Sequence, residues 1–116
     1  GARVACRTAT ELGAAGVVCL AFPLHPPGRP EKSRLDELLL PDVPVLVLQG
    51  DRDTFGTAET VAAEAAARDG VRVVAVPGAD HGMKTLKSSP LGAAAVRELI
   101  GSTVAGFVDE VVGRGA

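Results

Sequence analysis

Apolar and polar positions fall in blocks along this chain, and the blocks predict strands alternating with helices. Val45-Leu46-Val47-Leu48 is an uninterrupted apolar run rich in β-branched residues, the pattern of a strand covered on both faces as in a parallel sheet. Gly16-Val17-Val18-Cys19-Leu20-Ala21-Phe22, closed by Pro23, and Val71-Arg72-Val73-Val74-Ala75-Val76 predict two more strands. Gly1 to Leu12 reads as a helix with Val4, Ala5, Ala9 and Leu12 on one side and a stop at Gly13. Ser33-Arg34-Leu35-Asp36 resembles a capping box, opening a helix of about two turns that shows Leu35, Leu38 and Leu39 and ends at Pro41. Thr57 to Asp69 is an Ala-rich helix with Glu59 in its first turn, Arg68 in its last and Gly70 beyond. From Pro90 onward Leu91, Ala95, Leu99, Val104, Val108 and Val111 space out as a long final helix, weakened by Gly101 and Gly106.

This alternation predicts an α/β fold of three layers, α/β/α, around a parallel sheet with right-handed crossovers. At 116 residues and 47% hydrophobic the chain is sized for one domain with a core of Val, Leu and Ala. Aromatics make up only 3% and the net charge is -2 with signs interspersed, which argues against a nucleic-acid or anionic-membrane partner. No apolar run approaches the roughly 18 residues of a membrane span. Cys6 and Cys19 match neither a Cys-x-x-Cys nor a zinc spacing and read as two reduced core thiols, with a cytoplasmic location expected.

Candidate chemistry gathers where the strands end. Gly50-Asp51-Arg52-Asp53-Thr54-Phe55-Gly56-Thr57 follows one strand and Pro77-Gly78-Ala79-Asp80-His81-Gly82 another, and ligands of open α/β sheets bind at that edge. Asp53 lies five residues past Leu48 and His81 five past Val76, so parallel neighbouring strands would bring the two side chains together. A carboxylate that accepts the Nδ1 proton of a histidine makes the ring a general base. Asp51 reads as the turn-former, Asp80 as a loop residue, His25 as part of a rigid proline loop or a substrate contact, and Phe55 as a cover over the acid turn. Ser33, Ser88, Ser89 and Ser102 lack the tight Gly-flanked turn of a nucleophile. Gly1-Ala2-Arg3-Val4-Ala5 instead reads as the start of the helix after a G-x-S-x-G elbow, whose serine would stand two positions upstream of Gly1.

On Gly1–Ala5, Phe22-Pro23-Leu24-His25-Pro26-Pro27-Gly28-Arg29-Pro30-Glu31-Lys32, Leu48 to Thr57 and Gly78-Ala79-Asp80-His81, the chain resembles the carboxyl-terminal half of an α/β-hydrolase. It resembles in particular the small, lidless dienelactone-hydrolase-like family. The resemblance implies Asp53 as triad acid, His81 as triad base and the last three strands of an eight-stranded sheet. It further implies a small ester-like substrate and no metal or organic cofactor. On this reading residues 1–116 are the carboxyl-terminal part of one domain, inactive alone, with an open strand edge at Val17–Phe22. Two alternatives differ in class. A non-catalytic binding scaffold on the same fold would carry Ala, Gly or Asn at the elbow. Asp51-Arg52-Asp53-Thr54 superficially resembles the Asp-x-Asp turn of magnesium-dependent phosphatases, but Gln49 and Gly50 separate it from the strand and Phe55 stands where Thr or Val belongs.

Overall fold

The computed structural model describes residues 2–9 and 13–115, of which 114 and 115 are described in their backbone alone. Three strands, β1 (Val17–Leu20), β2 (Val45–Gly50) and β3 (Val71–Val76), form a parallel sheet in the order β1-β2-β3. Val45 lies opposite Val17 on one side and Val71 on the other, and Gly50 opposite Val76, so β2 and β3 end level with each other. The helices are α1 (Ala2–Thr8), α2 (Leu35–Leu38), α3 (Ala58–Ala65) and α4 (Ala93–Gly115).

The two-residue period of a strand sorts the core into two layers. Val17, Cys19, Val45 and Val47 face α1, α2 and α3, where Cys6, Leu38, Val61 and Ala65 close the packing. Leu46, Leu48 and Val76 face the other way, against Val96 and Phe107 of α4. Every residue of β2 is buried, as its unbroken apolar run requires, and burying Leu46 and Leu48 contributes about 2 kcal/mol each. β1 is covered less completely. Leu20 is 51% exposed, and β1 is bonded to β2 alone among the described residues.

Several boundaries differ from the expectation. The helix expected from Thr57 to Asp69 is α-helical over Ala58–Ala65. Thr57 Oγ1 caps it by accepting the Thr60 N–H, and beyond Ala65 the chain tightens into turns, with the Arg68 N–H on the Ala65 carbonyl. The capping box at Ser33 does not form. Ser33 Oγ accepts from the Leu35 N–H, two residues on, and α2 starts after Arg34, whose N–H is taken by the Leu24 carbonyl. That tie to the proline loop leaves one turn of helix instead of two. In α4 the inward stripe is Val96, Leu99, Ile100, Val104, Phe107 and Val111, with Val96 and Phe107 buried and the others partly so, while Ala95 and Val108 face solvent. Phe107 sets this register: its ring lies against Gly16, where a Cβ would come within 3.3 Å of it. The helix runs unbroken through Gly101 and Gly106. On α1, Cys6 is buried and Val4 is 50% exposed, and Ala9 just beyond its end is buried; Leu12 lies outside the described residues. Cys6 and Cys19 are free, buried thiols with their sulfurs 3.6 Å apart. No helix among the described residues is long and apolar enough to cross a membrane.

Candidate functional site

Level strand ends place two turns side by side at the carboxyl edge of the sheet, and specific contacts lock them together. The Arg52 N–H donates to the Ala79 carbonyl at 3.0 Å, and the Gly78 N–H donates to Asp51 Oδ1 at 2.7 Å. Asp51 is thus a turn residue that ties its loop to the next. Gly50 is required for the approach, since any Cβ there would overlap the Ala79 carbonyl.

Asp53 and His81 emerge from these two turns and meet. His81 Nδ1 lies 2.9 Å from Asp53 Oδ2, with the Asp53 side chain fully buried and that of His81 37% exposed. The buried carboxylate is held by three donors: Phe55 N–H on Oδ1 at 2.8 Å, and Gln49 Nε2 (3.2 Å) and His81 Nδ1 on Oδ2. Since the carboxylate accepts at Nδ1, that nitrogen carries the ring proton and Nε2 keeps a free lone pair. Phe55 lies against the His81 ring, centroids 4.2 Å apart, so it covers the base as well as the acid turn.

His81 opens onto a cavity of about 390 Å³ that it shares with Ala2, Val4, Arg7, Leu20 and Pro23. The start of α1 therefore sits at the base. Among the described residues no serine, threonine or cysteine lines this cavity. Ser33 and Ser89 accept backbone N–H groups in their own turns, and Ser102 donates to the Leu99 carbonyl.

His25 is held within its loop, its N–H on the Phe55 carbonyl and its Nδ1 2.8 Å from the Pro26 carbonyl oxygen. Asp80 closes its own turn by accepting the Gly82 and Lys84 N–H groups, and the Lys84 bond first of all holds its carboxyl below the usual range. Among the described residues no cluster of three or more His, Cys, Asp or Glu could hold a metal ion.

Gln49 is the site residue that the sequence pattern does not single out. Its amide is fully buried, accepts the Phe22 N–H at 2.9 Å, and places Nε2 within reach of Phe22 O (2.9 Å), Gly56 O (2.7 Å) and Asp53 Oδ2. It substitutes for a strand partner where β1 turns away at Ala21, a residue at φ 65°. The one signal for it in the sequence is a polar side chain at the end of an otherwise apolar buried strand.

A parallel sheet sandwiched by helices, with a carboxylate–imidazole pair at its carboxyl edge, defines a hydrolase-type α/β domain. The family model described as an alpha/beta hydrolase domain matches residues 1–109, and the chain belongs to that family. No curated protein matches the chain.

Proposed function

We propose that this chain carries the acid and base of a serine hydrolase that cleaves ester or related acyl bonds of a small substrate. The observation that carries the reading is the 2.9 Å contact between His81 Nδ1 and the buried Asp53 carboxylate at the sheet edge. The nucleophile is a serine in the chain that precedes Gly1, and the position of Ala2 beside His81 in one cavity favours that placement. The serine oxygen attacks the substrate carbonyl while His81 Nε2 takes its proton; His81 then gives that proton to the leaving alkoxide as the acyl-enzyme forms. Water, deprotonated by the same nitrogen, releases the acid and restores the serine. Asp53 orients the ring and stabilises the imidazolium. Backbone N–H groups, one from the residue after the serine, stabilise the oxyanion. The acyl transfer as written calls on no metal or organic cofactor. The proline loop from Phe22 to Lys32 supports membership of the small, lidless dienelactone-hydrolase-like branch.

Hydrolysis of short p-nitrophenyl esters by the full-length protein tests this. His81→Ala should lower kcat/KM by on the order of 10³-fold or more. A folded full-length protein whose ester hydrolysis is absent, or indifferent to His81, would instead be a binding scaffold.

A further inference from the structure

A second concave surface lies on the far side of the His81 turn, between the loop 82–92 and the first turns of α4. It encloses about 680 Å³. Met83, Leu91, Val96 and Ile100, all part of the apolar layer beneath α4, line it, and Leu86 stands at its wall 56% exposed. Lys84, Lys87 and Arg97 line it too, and no acidic side chain does. Among the described residues none of these three cations is in an ion pair. Lys87 and Arg97, together with Lys84, whose charge also helps hold the Asp80 carboxyl below its usual range, surround an apolar floor in a chain of net charge -2.

The walls are built rather than loose. At one end the Asp80 N–H donates to the Lys84 carbonyl, and Asp80 Oδ1 accepts the Gly82 and Lys84 N–H groups. These bonds hold Met83 at φ 62°. At the other end Thr85 Oγ1 donates to the Leu91 carbonyl at 2.7 Å and the Ser89 N–H donates to Leu86 O. The Thr85 proton is therefore already committed. An anion would be met chiefly by two ammonium groups and one guanidinium fork, and the planar fork suits a carboxylate. No aromatic side chain lines the surface, which disfavours a stacked nucleotide base.

We propose that this groove binds a fatty-acid-type carboxylate, with its saturated chain on Met83, Leu91, Val96 and Ile100 and its head among Lys84, Lys87 and Arg97. Neither the Asp53–His81 pair nor any nucleophile is needed for such binding.

Calorimetric titration of the full-length protein with octanoate, 1-octanol and inorganic phosphate tests it, using the wild type and the exposed-residue variants Lys87→Gln and Arg97→Gln. Octanoate should saturate a site, and each variant should weaken it about two- to fivefold, the worth of an exposed ion pair. Added salt should weaken it further. Octanol and phosphate should each bind at least about tenfold more weakly, since each lacks one of the two recognised halves. A His81→Ala control should leave octanoate affinity unchanged. The proposal is overturned by octanol or phosphate binding as well as octanoate, by affinity unchanged in both charge variants, by loss of binding in His81→Ala, or by no saturation at all.

Discussion

Gln49 and Asp53 are joined inside the protein: Gln49 Nε2 reaches Asp53 Oδ2 at 3.2 Å, the same oxygen that lies 2.9 Å from His81 Nδ1. The amide also satisfies the backbone of Phe22 and Gly56, so it ties the end of β1 to the acid turn. Gln49→Leu would leave these buried polar groups unmatched, at a cost of about 3 kcal/mol. Urea unfolding should show that loss. Wild-type stability in the Leu variant would show that Gln49 ties nothing together.

The difference between Gln49 and its neighbours shows what a sequence exposes. β2 was legible because Val45 to Leu48 is apolar on both faces, and the equal offsets of Asp53 and His81 follow from two parallel strands ending level. Gln49 acts on Phe22, 27 residues away, through a bend at Ala21 that no local pattern announces. In α4 the apolar spacing points to Ala95 and Val108, where the structure buries Val96 and Phe107 instead, because the register depends on the Phe107 ring finding room over Gly16. Ser33 carried a capping signal, but the tertiary bond from Arg34 N–H to Leu24 O decided where α2 begins.

Acid should weaken the fold through two identified carboxylates. Glu37 is held below its ordinary value of 4.5, first by its hydrogen bond to Arg3, which also links α2 to α1. Asp80 is held below 3.8, first by the Lys84 N–H. Between each lowered folded value and the ordinary one, the unfolded chain binds more protons, so stability rises with pH. The contribution is complete above the ordinary values and is lost as pH falls through the folded ones. Unfolding free energies measured from neutral pH down to about pH 2 should show this limb, and Glu37→Gln with Asp80→Asn should flatten it. An unchanged slope in the double variant would contradict the assignment.

Among the described residues β1 leaves one edge open, with Leu20 51% exposed beside it, and Val4 on α1 is 50% exposed. Open strand edges beside apolar surface promote association. Residues 1–116 expressed alone should therefore self-associate in analytical ultracentrifugation, and Leu20→Lys should shift the distribution toward monomer. A monodisperse monomer at all concentrations would mean that this edge needs no cover.

The central claim is that Asp53 and His81 serve a serine nucleophile, and a fluorophosphonate probe reads that most directly. In the full-length protein the account predicts covalent labelling of a serine upstream of Gly1. In His81→Ala labelling should fall by on the order of 10²-fold or more, and it should drop clearly in Asp53→Asn. A folded full-length protein that takes up no probe, or takes it up equally in all three forms, would contradict the claim and leave the 2.9 Å pair as a structural contact.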